Sequence, residues 1–312
     1  MDLNPMRLVF ATRPSALART QTQWIIQALQ KTYPGLVCEE KVITTQGDKI
    51  LNKPLPEIGG KGLFTQELES ELISGAVHCA VHSLKDLPIE NPAGLTIGCI
   101  PARADARDVI ISAKHHTLST LPDGSPVGTS SPRRAAQVLA ARPDLVLHSL
   151  RGNVDTRLRK AMEGQYDAIL LAGAGLTRLG LDKNITEWLP LDVMLPAPGQ
   201  GALAVQCCAD DQTTLELLAV LEDNPTRQAV TAERQFLLEM GGGCTAPVAA
   251  YATVIGERSG MIHLMGRILS PDGRKVLNVR GHGMDAAQLG KDLAQQAMEQ
   301  GAREILDLVA AH

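Results

Sequence analysis

Hydrophobic and polar positions follow two different periods along the first two thirds of the chain. Short runs with strand-like patterning, such as residues 7–11, 36–44 and 76–82, predict β-strands. Between the first two, apolar positions 17, 24, 25, 28 and 29 recur with the period of one helix face. The same alternation of strands and helices returns over residues 126–172, where residues 154–162 are predicted to form a helix. This pattern predicts two α/β lobes, each with a sheet covered by helices, around a cleft.

A second helix is predicted to open at Gly59-Gly60-Lys61-Gly62 and to carry Leu63, Leu68 and Leu72 on one face. Further along, residues 195–201 contain two prolines and two glycines, which a helix or a central strand cannot accommodate. We therefore predict that residues 195–201 form a crossover that returns the chain to the first lobe.

After residue 225 the pattern changes to one long helix, a glycine-rich loop, three β-type runs and a terminal helix. The three runs are residues 250–256, 261–269 and 275–280. They predict a smaller third α/β domain. The predicted domains are residues 1–101 with 202–221 (the first lobe), residues 102–201 (the second, arginine-rich lobe) and residues 222–312 (the C-terminal domain).

Composition and charge narrow the functional classes. The 312 residues are 44% hydrophobic and 21% charged, the balance of a soluble globular enzyme, and 3% are aromatic. The net charge of −4 argues against a protein that coats nucleic acid or binds an anionic membrane. The low aromatic content also leaves few side chains on which bases could stack. The start of the chain has no apolar leader, and the longest apolar run, residues 168–176, is half a membrane span. We therefore predict a cytoplasmic protein.

A basic cluster follows the predicted strand of the second lobe. Between Arg133 and Lys160 there are seven basic and two acidic residues, a local charge of +5. A solvated helix face would explain this cluster, but Ser131 and Pro132 place a hydroxyl cap and a first-turn proline directly after a strand. Ligands bind at that edge of open sheets. Arginine favours carboxylates or phosphates, and because the chain lacks glycine-rich nucleotide motifs we expect carboxylates.

The first lobe offers one candidate carboxylate. Residues 80–88 contain the end of a predicted strand, followed by two ionisable residues, Lys85 and Asp86. Asp86 is either a turn cap or a carboxylate at the mouth of the cleft, able to shuttle protons or to stabilise a cation. His78 and His82 have metal-binding spacing only on a helix, whereas this segment alternates like a strand, so we predict no metal site.

One of the six cysteines differs from the others in its surroundings. Cys244 follows three glycines in a loop, and the chain has no C-x-x-C pair, so reduced thiols are expected. Four other cysteines lie in apolar runs and are predicted to be buried: Cys79, Cys99, Cys207 and Cys208. Cys244 is therefore the candidate for covalent chemistry, either as a redox site or as an attachment site.

Eight ordered sequence blocks, taken together, resemble the porphobilinogen deaminase (hydroxymethylbilane synthase) family. They include His-Ser-Leu-Lys-Asp-Leu-Pro at 82–88, Gly-Thr-Ser-Ser-Pro-Arg-Arg at 128–134, Leu-Arg-Gly-Asn at 150–153 and Gly-Gly-Cys at 242–244. The others are residues 11–18, 45–48, 59–69 and 156–158. The resemblance runs from about residue 7 to the C-terminus. It implies two periplasmic-binding-protein-like lobes plus a third domain that bears a cofactor cysteine.

The resemblance implies a transferase of tetrapyrrole and heme biosynthesis. Such an enzyme joins four porphobilinogen molecules head to tail on a covalently bound dipyrromethane primer, releases ammonia at each step, and finally hydrolyses off hydroxymethylbilane. By position, Cys244 matches the cysteine that holds the cofactor through a thioether, and Asp86 matches the catalytic aspartate. In that role Asp86 assists loss of the aminomethyl nitrogen and stabilises the azafulvene-type cation.

Other residues match further groups of the family site. Matches to cofactor-binding residues are Lys85, Ser131, Arg133 and Arg134. Matches to residues that bind the substrate and the growing chain are Arg13, Ser15, Arg151, Arg157 and Arg178. Weaker matches, for which loop or core roles compete, are Gln21, Asp48, Lys61, Phe64 and Gln200.

Two alternative functions remain open from the sequence. Two α/β lobes around a cleft also occur in non-catalytic receptors for small polycarboxylates, although such a receptor gives no reason for Cys244. A nucleic-acid binder is opposed by the charge and the aromatic content. No apolar surface pattern demands a dimer, so we expect a monomer with porphobilinogen as its small-molecule partner and neither nucleic acid nor membrane.

Overall fold

Three β-sheets organise the computed structural model, which describes residues 7–49, 62–241, 247–256 and 260–310. The strands are β1 Arg7–Thr12, β2 Val37–Val42, β3 Cys79–Ser83, β4 Leu95–Cys99, β5 Asp108–Ile111, β6 Pro126–Gly128, β7 Val146–His148, β8 Ala168–Ala172, β9 Glu187–Trp188, β10 Leu203–Cys208, β11 Val248–Ile255, β12 Met261–Leu269 and β13 Val276–Gly283.

Helices cover these sheets. They are α1 Ala16–Thr32, α2 Gln46–Lys49, α3 Gln66–Ile73, α4 Pro132–Ala141, α5 Val154–Met162, α6 Gly173–Arg178, α7 Gln212–Ala219, α8 Asn224–Glu239, α9 Ala286–Glu299 and α10 Ala302–Ala310. Two short 3-10 turns span Leu84–Asp86 and Asp182–Asn184. Within the described ranges, no helix combines the length and the apolar character needed to cross a membrane.

The first sheet has the strand order β2-β1-β3-β10-β4. Strand β1 runs parallel to β2 and β3, whereas β10 is antiparallel to β3 and β4. One apolar cluster against this sheet includes Phe10, Ile25 and Leu29, and another includes Leu68 and Leu72. Because β10 lies between β3 and β4, the chain does return to the first sheet after residue 201, as its prolines and glycines predicted.

The second sheet repeats this arrangement in the order β7-β6-β8-β5-β9. Strand β6 is parallel to β7 and β8, and β5 is antiparallel to β8 and β9. Strand β5 therefore holds the fourth position in this sheet, as β10 does in the first. The prediction of two similar α/β lobes is confirmed.

The third sheet is an antiparallel meander of β11, β12 and β13. Its apolar core includes Phe236 from α8 and residues of α9 and α10, such as Leu293 and Ile305. This confirms the prediction that three β-strands lie between a long helix and a terminal helical segment. The α/β fold class expected from the sequence is therefore correct.

Backbone contacts divide the chain into two compact units. Residues up to 103 group with 202–227, and residues 104–201 group with the rest of the chain. The second lobe and the C-terminal domain thus belong to one unit. The three predicted domain boundaries stay a prediction.

Local details differ from the sequence expectations at three points. Trp24, expected on the apolar face of the first helix, is 48% exposed. Helix α3 begins at Gln66, because Gly62 has a φ of +87° and residues 62–65 form a turn. Leu63 therefore lies outside the helix, whereas Leu68 and Leu72 are buried as predicted. Among the cysteines predicted to be buried, Cys208 is only half-buried.

Candidate active site

Several predicted site residues of the first lobe follow the carboxyl ends of neighbouring parallel strands. Strand β1 ends directly before Arg13, and β3 ends directly before the turn that contains Asp86. Because β1 and β3 are parallel, these two ends meet at one edge of the sheet. This is the edge at which open α/β sheets bind ligands.

Asp86 is an exposed carboxylate on a turn that is fixed through its backbone. Leu84 and Leu87, on either side of it, are buried, and the Leu84 N–H donates to the carbonyl of Ala202 at 3.0 Å. The Leu87 N–H closes the turn by donating to the carbonyl of Leu84. Lys85 is half-buried. The turn therefore presents the Asp86 side chain to solvent from a rigid base.

Helix α1 begins at this edge and supports the end of β3. The Ser15 hydroxyl caps α1 by accepting from the Ala18 N–H at 3.3 Å. One turn further along, the buried Gln21 amide donates to the Ser83 hydroxyl at 2.9 Å. Ser15 thus has a structural partner in its own helix, and Gln21 holds the strand end directly before the Asp86 turn.

Arg13, Asp48 and Phe64 form one cluster in the first lobe. Arg13 donates through both Nε and Nη2 to the Asp48 carboxylate, and its guanidinium stacks 4.2 Å from the centre of the Phe64 ring. The neighbouring Gly47 leaves room for that ring, since a Cβ there would lie 2.2 Å from it. The structure therefore brings together one expected and two weaker candidates and fixes the plane of the Arg13 guanidinium.

The charge of Asp48 is stabilised by this cluster. Burial raises the pKa of Asp48, but hydrogen bonds from Arg13 and Thr45 and the charge of Arg13 together lower it below its ordinary value. Thr45 contributes both its hydroxyl, at 2.8 Å, and its N–H, at 3.1 Å. Asp48 is therefore ionised at neutral pH, and it offsets the Arg13 charge.

His82 lies on β3 just before the Asp86 turn and is buried. Burial lowers the pKa of His82 to about 4, and the neighbouring Gln206 offsets this only in part. His82 is therefore neutral at physiological pH. His82 therefore adds no positive charge to that of Arg13 in the first lobe.

Burial of His82 should make stability depend on pH. Because its folded-state pKa lies below the ordinary value of about 6.5, the unfolded chain takes up a proton first as the pH falls. The free energy of unfolding should fall by about 3 kcal/mol between pH 7 and pH 4 relative to a His82→Gln variant. Urea titrations across this range measure the difference. The exposed His148 provides the control, since the free energy of unfolding of His148→Gln should change with pH as it does in the wild type. The same pH dependence in the wild type and both variants would contradict the assignment.

In the second lobe, the predicted strand, cap and proline occur as expected. Strand β6 ends at Gly128, Ser131 is the N-cap of α4, and Pro132 occupies its first turn. The Ser131 hydroxyl accepts from the Arg134 N–H at 3.4 Å. This cap places Arg133 and Arg134 in the first turn of the helix.

Both of these arginines are buried and bind one buried carboxylate, Asp108. Arg133 Nη1 lies 2.8 Å from Asp108 Oδ2, and Arg134 Nη2 and Nε lie 2.7 and 2.9 Å from Oδ1. Arg133 Nη1 also donates to the carbonyl of Leu195, and Arg134 Nη1 donates to the carbonyl of Leu170. The arginines thus have partners inside the protein, and their assignment to a ligand stays a prediction.

Asp108 is a residue that the sequence reasoning missed. It is fully buried, and the Gln200 amide donates to it at 2.9 Å. Burial raises its pKa, but the charges of Arg133 and Arg134 reverse this, so the carboxyl pKa lies well below its ordinary value. The available signal was an aspartate at the start of the apolar run Asp-Val-Ile-Ile, because a buried charge requires a partner.

Three further candidate arginines follow later elements of the second lobe. Arg151 is half-buried after β7, and Arg157 donates to the Gly152 carbonyl at 2.7 Å. Arg178 ends α6 and donates to the Gly201 carbonyl at 2.7 Å. Burial lowers the pKa of Arg178 to about 10, so it remains charged at neutral pH.

The sequence Leu-Arg-Gly-Asn at 150–153 predicts a glycine that permits close backbone approach and an asparagine that caps the next helix, and only the need for glycine is found. Gly152 has a φ of +113°, and a Cβ there would lie 2.7 Å from Thr156, so this position needs glycine. Asn153 is the N-cap of α5 by position, but its side chain makes no capping hydrogen bond. Two predicted site residues, Lys61 and Cys244, lie outside the described residues.

Comparisons with known proteins identify the family. One family model, "Porphobilinogen deaminase, dipyromethane cofactor binding domain", matches residues 8–216, and "Porphobilinogen deaminase, C-terminal domain" matches residues 227–299.

Curated relatives agree with these matches. The chain is 50% identical over 295 residues to "Porphobilinogen deaminase" of Brevibacillus brevis, covering 95% of each chain. It is 50% identical to that of Roseiflexus sp. (strain RS-1), covering 96% of this chain and 98% of the relative. For Staphylococcus carnosus the identity is 47%, with 96% and 97% covered. The chain belongs to the porphobilinogen deaminase family.

Proposed function

We propose that Asp86 is the catalytic carboxylate and Cys244 the cofactor attachment site of this enzyme. As a member of its family, the chain condenses four porphobilinogen molecules head to tail, releases ammonia at each step, and frees hydroxymethylbilane by hydrolysis. The observation that carries the assignment of Asp86 is its exposed carboxylate on a fixed turn, at the carboxyl edge of the first sheet.

The described residues of the second lobe fit the dipyrromethane cofactor. This cofactor supplies the pyrrole primer on which the chain is extended, and it carries several carboxylates. The cluster of Arg133, Arg134 and Asp108 holds two guanidinium charges against one carboxylate. Elsewhere in the same lobe, Arg178 is a half-buried cation. A site with an excess of buried positive charge fits a ligand with several carboxylates.

Asp86 has the properties that the reaction requires of a proton-transferring group. The bond between the aminomethyl carbon and nitrogen of porphobilinogen breaks when that nitrogen leaves as ammonia, so the nitrogen must carry the proton. A carboxylate held on a rigid turn can relay this proton and then stabilise the positive charge left on the substrate carbon. It can also accept the proton that the pyrrole carbon loses when the new C–C bond forms.

Arg13 is proposed to bind a substrate carboxylate beside Asp86. Its guanidinium is oriented by Asp48 and stacked on Phe64, so little side-chain entropy is lost when it binds. Arg151 and Arg157 are proposed to bind carboxylates of the growing chain. Lys85 and Ser131 are proposed to contact the cofactor.

Intact mass spectrometry tests the attachment site. Wild-type protein should carry an added mass equal to two porphobilinogen units less their ammonia, and Cys244→Ser should lack it. Cys208→Ser is the matched control, because Cys208 is a half-buried thiol and should keep the adduct. Protein that lacks the mass is incubated with porphobilinogen and measured again. A wild-type protein that remains unmodified, or an adduct on Cys244→Ser, contradicts the assignment.

Cellular location and oligomeric state stay predictions from the sequence. We propose a cytoplasmic monomer. Size-exclusion chromatography with light scattering should give the mass of one 312-residue chain. A mass of two chains would overturn the monomer.

A further inference from the structure

The buried ion cluster of the second lobe contains an aspartate to which the proposed function assigns no role. Asp108 is the first residue of β5, and its side chain is fully buried. The side chains of Arg133 and Arg134 are only 6% and 7% exposed. All three charges are therefore shielded from water and interact strongly.

The Asp108 carboxylate fixes the guanidinium of Arg134 by hydrogen bonds and forms an ion pair with that of Arg133. Its Oδ1 accepts from Arg134 Nε and Nη2 and from the Gln200 amide, while Oδ2 lies 2.8 Å from Arg133 Nη1. Two N–H groups of Arg134 on one oxygen set the plane of that guanidinium. Backbone carbonyls of the same lobe also hold the two groups, since Arg133 Nη1 donates to Leu195 and Arg134 Nη1 donates to Leu170.

The charge of this cluster is unbalanced. One carboxylate lies between two guanidinium groups, so the three side chains carry a net charge of +1. Burial lowers the pKa of Arg133, and Asp108 opposes this while Arg134 adds to it. Without Asp108, two adjacent buried cations would repel each other across the first turn of α4. Asp108 therefore allows both arginines to occupy this turn and still leaves positive charge for an anion.

We propose that Asp108 is a positioning residue for the dipyrromethane cofactor, setting Arg133 and Arg134 in the geometry that receives the cofactor carboxylates. This inference rests on the proposed function of the two arginines. A purely structural ion pair would stabilise the lobe without affecting cofactor occupancy. A positioning role affects both, because displaced guanidinium groups no longer match the carboxylates.

The test compares cofactor occupancy in full-length variants purified from cells that make porphobilinogen. Asp108→Asn keeps the size of the side chain and removes its charge. Intact mass should show an occupancy at least about tenfold lower than in the wild type, with slow loading when porphobilinogen is added. Asp105→Asn is the matched control, since Asp105 is a more exposed partner of Arg107 in the same segment and should load normally.

A second variant covers the case in which Asp108→Asn does not fold. Asp108→Glu keeps the charge but moves the carboxylate by one methylene. Reduced occupancy at a wild-type melting temperature supports positioning. Wild-type occupancy and wild-type KM in Asp108→Glu, or in a folded Asp108→Asn, overturn the proposal.

An arginine variant separates this inference from the proposed function. Arg134→Gln should also lose the cofactor. If Arg134→Gln keeps full occupancy, the arginine assignment itself is wrong. If Arg134→Gln loses the cofactor while folded Asp108→Asn keeps it, only the role of Asp108 is wrong.

Discussion

Replacing Asp86 with asparagine should lower kcat about a thousandfold, the effect typical of losing a positioned proton-transferring group. Asparagine keeps the size of the side chain but can neither relay a proton nor neutralise a developing cation. Among the described residues, the turn is held by its backbone and by buried Leu84 and Leu87, and the exposed carboxylate makes no contact that the fold requires. The loss should therefore appear in turnover and not in stability.

Single-turnover kinetics with porphobilinogen, together with circular dichroism, measure both properties. Glu90→Gln is the matched control, since Glu90 is another exposed carboxyl group four residues further along the same segment. It should keep turnover within about twofold of the wild type. Asp86→Asn with near-normal kcat and a retained cofactor mass would remove the catalytic role of Asp86.

Replacing Phe236 with alanine should destabilise the C-terminal domain by about 3–5 kcal/mol, the usual cost of deleting a buried aromatic side chain. Phe236 is fully buried, and its ring lies over Gly266, where a Cβ would be 2.5 Å from the ring. Alanine leaves a cavity between α8 and the sheet that the backbone cannot close. Helix α8 ends five residues before Cys244, so its anchoring bears on the proposed attachment segment.

Thermal unfolding measures this effect, and the midpoint should fall by roughly 10 °C. Leu238→Ala is the control on the same helix, because Leu238 is 37% exposed and its loss should cost less than about 1 kcal/mol. Equal midpoints for the two variants would contradict the packing described here.

Periodicity predicted most of the elements because each has one buried face. Helix α5 has the predicted limits, Val154–Met162, and the three strands of the C-terminal sheet agree to within a few residues. Strand β9 was not predicted, and β4 was recognised only as an apolar run around Cys99. Strand β9 has two residues, and β4 lacks a clear alternation of buried and exposed positions. Such strands are fixed by pairing with distant segments, which leaves no local pattern.

The site was predictable where a backbone motif determines the side-chain position. Ser131 and Pro132 fixed the start of α4, and hence the place of Arg133 and Arg134. Their shared partner could not be found in the same way, because Asp108 is 25 residues earlier in the chain and reaches them only through the sheet order. Ion pairs between distant segments require the tertiary fold.

The fourth position of each sheet affects the order in which the lobes can fold during synthesis. In the second lobe this antiparallel strand, β5, comes first in the chain, whereas in the first lobe it is β10, which comes after every strand of the second lobe. The ribosome therefore releases a complete second sheet while β3 and β4 still lack the strand between them. The lobe that begins the chain finishes last, and until residues 203–208 emerge, two unpaired strand edges are exposed to wrong partners.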